Sequence, residues 1–176
     1  MFGTRPRPES INARTEFGHW EIDTVEGRKS DSPRVRVATE RMSWLTRLTY
    51  LPKNTAAAVL TALRHWRGGR RGLFLSLTPD QGSEFSHLER FFTNSLIFAC
   101  DPHSPWQKGI VENHNGLIRF YVPKGYPISE FSPEYVEYVE ELINDRPRKS
   151  LDWLTHRVRI PLELRLRTLN WNPPFL

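Results

Sequence analysis

Between His19 and Leu51 the chain lays down three strand-like runs separated only by short polar breaks. That order narrows the possible folds more than any other feature. In HWEIDTVE, residues His19 to Glu26, Trp20, Ile22 and Thr24 alternate with Glu21, Asp23 and Val25. A period of two puts successive side chains on opposite faces of a strand. Val35 to Thr39 and Leu45 to Leu51 are rich in Val, Thr, Leu and Tyr and predict two further strands. So close together, the three runs predict an antiparallel meander.

The pattern then changes. Asn54 or Thr55 caps a helical run, AAAVLTALRHW, with Val59, Leu60 and Leu63 as its apolar stripe and Gly68 and Gly69 at its end. Leu73 to Leu77 is a short continuous apolar run, as in a buried strand. It leads into the turn TPDQG, which holds Asp80. A short helix around Leu88 to Thr93, a buried strand from Leu96 to Ala99 and a helix within Asp101 to Gly125 follow. The last clear helix is SPEYVEYVEELIND, with Ser132 as cap, Pro133 in its first turn and a stripe of Tyr135, Val136, Val139, Leu142 and Ile143. A meander followed by alternating helices and strands predicts an α/β domain, a mixed five-stranded sheet with flanking helices. Residues 1–16 read as a basic arm or linker, 17–150 as the core and 151–176 as a basic tail.

Composition restricts the function. The chain has 176 residues, a length that suits one domain. No apolar run is long enough to span a membrane, and MFGTRPRPES lacks the apolar stretch of a signal peptide. The single cysteine, Cys100, excludes an internal disulfide and a cysteine-rich zinc site. A cytoplasmic protein is expected. The net charge is +5 and the pI about 9.7, with arginines clustered at Arg64 to Arg71 and Arg146 to Arg167. Basic clusters of this kind favour a polyanion such as nucleic acid.

Three carboxylates stand out. Asp23 lies mid-strand, where aspartate is disfavoured, and a buried carboxylate needs a hydrogen-bond donor, a cation or a proton. Asp80 follows a buried strand, at the end of the sheet where ligands collect in α/β proteins. On the helix after Asp101, Ile110, His114, Leu117, Ile118 and Tyr121 share the apolar face, while Glu112, Asn115, Gly116 and Arg119 lie off it. Taken alone, Glu112 reads as a solvated surface residue and Asp80 as an ordinary turn aspartate. Together they suit hard cations: Mg²⁺ takes oxygen ligands, and paired ions promote in-line displacement at phosphorus.

At this point a family resemblance enters. DPHSPWQKGIVENHNGLIRFYVPKG resembles the third catalytic block of bacterial insertion-sequence transposases, in the family numbered thirty. GHWEIDTVEG and TPDQGSEF look like its first and second blocks, and ATERMSWLTRLTYLPKNTAAAV and NDRPRKSL match the stretches around them. The resemblance runs from about Arg5 to Arg148. It implies a ribonuclease-H-like fold, similar to retroviral integrases, with a catalytic Asp-Asp-Glu triad at Asp23, Asp80 and Glu112. It also implies two Mg²⁺ ions, with Mn²⁺ as a substitute, and cleavage and strand transfer on DNA. The expected partners are transposon ends, target DNA and further copies of the chain, in a bacterial cytoplasm and near the nucleoid.

By the same comparison Glu84, Asn113 and Asn115 become supporting groups or DNA contacts, as do His103, Trp106, Gln107, Lys108 and Arg119. Ile110 and Val111 stand where the family favours polar residues. No helix-turn-helix region of the kind the family carries at its N-terminus is read in this sequence, which predicts an isolated or truncated core. The competing expectations are an idle remnant that only binds DNA or an intact transposase, and a plain nuclease acting on RNA–DNA hybrids.

Overall fold

The structure, a computed structural model, describes residues 7–67, 74–80, 82–85, 88, 96–98 and 109–155. One five-stranded sheet organises them. Its strands are β1 (His19–Glu26), β2 (Arg34–Glu40), β3 (Thr46–Leu51), β4 (Ser76–Thr78) and β5 (Leu96–Ile97), in the order β3-β2-β1-β4-β5. The first three form the antiparallel meander, and β4 and β5 add on parallel. The parallel half needs crossovers. One of them carries α2 (Ala56–Arg67). Two later helices, α3 (Gly109–Tyr121) and α4 (Pro133–Asn144), follow β5, and a short α1 (Glu9–Asn12) precedes the sheet.

The alternation in β1 divides the interior into two cores. Trp20 and Ile22 face Val59, Leu63, Trp66, Phe74 and Leu77 on the α2 side. Val25 joins Val35, Val37, Val111, Ile118, Val139 and Ile143 on the side of α3 and α4. Fully burying such a side chain contributes about 1.5–3 kcal/mol, so both faces must be covered for the sheet to persist. Ile110 and Val111 are both fully enclosed, which explains apolar residues at the start of α3. Leu117 and Tyr121, expected on the same stripe, are only half-buried.

Helix ends follow local chemistry. Thr55 Oγ1 accepts from Ala58 N–H at 3.2 Å, so of the two candidate caps Thr55 takes the role and Asn54 is free for another. Ser132 Oγ accepts from Tyr135 N–H at 3.2 Å, with Pro133 beginning α4. The strand at Asp80 is shorter and later than its apolar run suggested, Ser76–Thr78 instead of Leu73 to Leu77; residue 73 lies outside the described residues. The turn at Gly68 and Gly69, most of the helix expected at Leu88 to Thr93 and the tail from 156 lie outside them too.

The edge strand β3 is covered by side chains of α4. Glu140 Oε2 accepts from Leu48 N–H at 2.6 Å and its Oε1 from Arg47 Nη1 at 2.6 Å. Asn144 Oδ1 accepts from Thr46 N–H at 2.9 Å, while its Nδ2 donates to the Thr46 carbonyl at 2.8 Å. Residues 140 and 144 are one helical turn apart and reach alternate backbone groups of an extended strand.

Candidate active site

Asp23 lies in β1, the middle strand of the sheet, and is half-buried. Its Oδ1 accepts from the Thr24 N–H at 2.9 Å, and its Oδ2 accepts from Asn115 Nδ2 on α3 at 2.8 Å. The pairing of β1 with β4 ends with Glu21 opposite Thr78, and Asp80 follows two residues beyond that last pair. Asp80 Oδ1 accepts from the Gly82 N–H at 3.0 Å, an Asx turn that fixes the carboxylate at the strand end.

Glu112 is exposed on the first turn of α3, one turn before Asn115. Arg119, a further turn along, donates from Nη1 to the Glu26 carbonyl at 2.8 Å. The face of α3 that carries Asn115 and Arg119 therefore runs along β1. Asn113 is exposed, and His114 is fully buried as a packing residue. His103, Trp106, Gln107 and Lys108 lie outside the described residues.

Glu84 stands in the turn after Asp80. Its Oε1 accepts from Thr24 Oγ1 and from Asn54 Nδ2, each at 3.3 Å. Sequence reading missed the residue behind these contacts. Arg36, on β2 opposite Thr24, is fully enclosed and donates to both Thr24 Oγ1 and Asn54 Oδ1. Burial pushes its pKa down to about 10, against the opposing pull of Glu84, Asp80 and Asp23. The available signal was an arginine between two valines, Val35 and Val37, in the middle of a strand.

A second buried acid, Glu21, was also not singled out. Its carboxylate accepts from Arg7 Nη1 at 3.0 Å, from Arg41 Nη1 and from Val111 N–H at 3.0 Å. Arg41 Nε in turn donates to the Ile11 carbonyl. The segment from Arg7 to Asn12 is thereby joined to the sheet, and the start of α3 is fastened to β1 two residues before Asp23.

The donor set is oxygen-rich, as a hard divalent cation requires. Asn115 Oδ1, beside Asp23, is buried and has no partner among the described residues. The fit is thus in donor type and in the hydrogen bonds that orient Asp23 and Asp80. Among the described residues no three His, Cys, Asp or Glu side chains close on a single point where an ion would sit.

No family model matches the chain. Individual proteins do. The chain is 41% identical over 159 residues to the transposase for insertion sequence element IS1086 of Cupriavidus metallidurans, covering 87% of this chain and 46% of that protein. It is 34% identical over 155 residues to the IS4351 transposase of Bacteroides fragilis, and 36% identical over 152 residues to transposase InsI for IS30A of Escherichia coli. These matches cover 85% of this chain and 46% and 39% of those proteins. Its homologues are IS30-family transposases.

The chain spans less than half the length of each of these transposases. Its fold is that of a retroviral integrase catalytic core. The catalytic core domain of BIV integrase superposes with a TM-score of 0.58 at 18% identity, over 88% of this chain and 97% of that one. A chain of the simian T-cell lymphotropic virus intasome, in complex with PP2A regulatory subunit B56 gamma, gives 0.65 at 17% identity, over 82% and 55%. The matches to IS30-family proteins agree with the family expected from the sequence blocks around Asp23, Asp80 and Glu112. No helix among the described residues is long and apolar enough to cross a membrane.

Proposed function

We propose that this chain is the catalytic core of a transposase, cutting and rejoining DNA with Asp23, Asp80 and Glu112 as its acidic triad. The observation that carries this reading is the hydrogen bond from Asn115 to Asp23. It ties the helix bearing Glu112 to the central strand, which pairs with the strand just before Asp80.

In this reading the three carboxylates hold two Mg²⁺ ions, with Mn²⁺ as a substitute. When bound, such ions favour attack of water or a 3′-hydroxyl on phosphorus and offset charge on the leaving oxygen. The protein's part is positioning. The Thr24 N–H and the Asn115 amide leave Asp23 little rotational freedom, and the Gly82 N–H does the same for Asp80. Carboxylates already oriented need little reorganisation when the reaction begins.

DNA is the substrate class, both as transposon ends and as target. The active form is an assembly of several copies on DNA in a bacterial cytoplasm, associated with the nucleoid. Exposed Asn113 and half-buried Arg119 flank the helix face beside the site and serve as supporting or DNA-contacting groups. The roles of His103, Trp106, Gln107 and Lys108 in shaping the site or touching DNA are part of the same proposal.

The test is an assay of nicking and strand joining on short duplexes ending in the element's terminal repeat, with Mg²⁺ or Mn²⁺. Asp23→Ala, Asp80→Ala and Glu112→Ala are each expected to lower product formation by at least about 100-fold. Binding of the same duplex should survive all three. Equal activity of wild type and Glu112→Ala would remove Glu112 from the triad. Cleavage of RNA–DNA hybrids with DNA ends left intact would refute the transposase reading.

A further inference from the structure

Arg36 brings a guanidinium into the α2 side of the sheet, where it lies 4.5 Å over the Phe85 ring. A buried cation is costly unless its hydrogens find partners. Among the described residues Arg36 has no carboxylate at ion-pair distance. It donates instead through Nη1 to Thr24 Oγ1 and through Nη2 to Asn54 Oδ1 at 3.1 Å.

Both acceptors are thereby restricted to one role. A Thr24 hydroxyl that accepts from Arg36 keeps its own hydrogen for donation, and Glu84 Oε1 is 3.3 Å away. An Asn54 whose amide oxygen faces the guanidinium must present its Nδ2 on the other side, and that nitrogen donates to the same Oε1 at 3.3 Å. Arg36 does not touch Glu84, yet it orients both donors that hold it.

The other Glu84 oxygen lies beside Gly82, as Asp80 Oδ1 does. A Cβ on Gly82 would stand 2.4 Å from Glu84 Oε2 and 3.0 Å from Asp80 Oδ1. A side chain there would displace the Glu84 carboxylate, so the two carboxylates border the space its absence leaves open. Two like charges so close favour a cation between or beside them. Arg36, attracted by Asp23, Asp80 and Glu84 together, offsets part of their repulsion from the far side.

We propose that Glu84 is a further acid of the divalent-cation site beside Asp80, and that Arg36 is the positioning residue that aims it through Thr24 and Asn54. This rests on the reading of Asp23, Asp80 and Glu112 as that site.

Mn²⁺ titration followed by electron paramagnetic resonance tests it, on wild type, Asp80→Ala, Glu84→Gln, Arg36→Met and the Glu84→Gln/Arg36→Met pair. The thermal midpoint of each is measured alongside. Glu84→Gln is expected to weaken Mn²⁺ binding about 10-fold or more, the usual effect of losing a supporting carboxylate. Arg36→Met should weaken it similarly, and the pair should be no weaker than Glu84→Gln alone, because Arg36 acts through Glu84.

A guanidinium acting only as a nearby charge would give tighter Mn²⁺ binding in Arg36→Met. One acting only in packing would lower the midpoint and leave affinity unchanged. Either result, or losses that multiply in the pair, overturns the proposal. If Arg36→Met does not fold, Thr24→Val/Asn54→Leu carries the same expectation, and wild-type affinity in it is equally fatal. Loss of binding in Asp80→Ala with full binding in Glu84→Gln defeats this proposal alone. Indifference of Mn²⁺ binding to Asp80→Ala defeats the cation site itself, and this proposal with it.

Discussion

His114 lies against the Trp44 ring with centroids 5.5 Å apart, and its Nδ1 donates to the Ile110 carbonyl at 3.1 Å. Burial, with Arg148 nearby, pushes its pKa down to about 3, so the folded protein keeps it neutral. The unfolded chain takes up a proton near pH 6.5. Below that pH the unfolded state therefore binds more protons than the folded one, and stability falls as pH drops from 6.5 toward 3. Between pH 7 and pH 5 this one residue should cost about 2 kcal/mol. His114→Leu is expected to flatten that part of the profile, as read by urea unfolding at the two pH values. The periodicity of α3 already marked His114 as a packing residue. The strand patterns marked Asp23 as misplaced and left Arg36 unnoticed, for a physical reason. An acid in the middle of a strand is conspicuous, whereas an arginine is read as surface charge until its partners, 12 and 18 residues away, are in place.

At the level of elements, the three meander strands and the two long C-terminal helices were legible because each repeats one period over six residues or more. The strands β4 and β5 span three and two residues, too short for a pattern to fix their ends. Glu140 and Asn144 fall outside the apolar stripe read for α4, yet both are buried against β3. Their purpose becomes visible only when the edge strand is beside them. Glu140→Ala would remove the acceptor of the buried Leu48 N–H and one partner of Arg47. The expected loss is about 1–3 kcal/mol, the usual cost of an orphaned buried donor, measurable by chemical denaturation. Burial raises the Glu140 pKa, so its favourable contribution is present below its unfolded value and declines as pH rises through its folded one.

Across the whole molecule, the number of arginines overstates the charge available to a partner. Arg7 and Arg41 are committed to Glu21, Arg47 to Glu140 and Arg34 to Glu26. Arg14 and Arg148 instead lie 5.9 Å and 5.6 Å from the Trp44 ring centre, and among the described residues neither has a carboxylate at ion-pair distance. If the net charge of +5 is used on DNA, binding must weaken with salt. Even three phosphate contacts give a log–log slope of about −2.7, or roughly a 40-fold loss between 50 and 200 mM. Fluorescence anisotropy with a short duplex measures it. A flat response would leave the basic surface without a polyanion partner.

The cover over β3 has a consequence for synthesis on the ribosome. Thr46 is closed off by Asn144, 98 residues later in the chain. At about 5–20 residues per second, the strand waits roughly 5–20 s for its cover to be made. During that interval its outward N–H groups are open to any extended segment, including the same strand of a neighbouring nascent chain. Arg47, charged and one residue from its start, is then the main deterrent. The sheet edge is guarded first by repulsion between chains and only afterwards by structure.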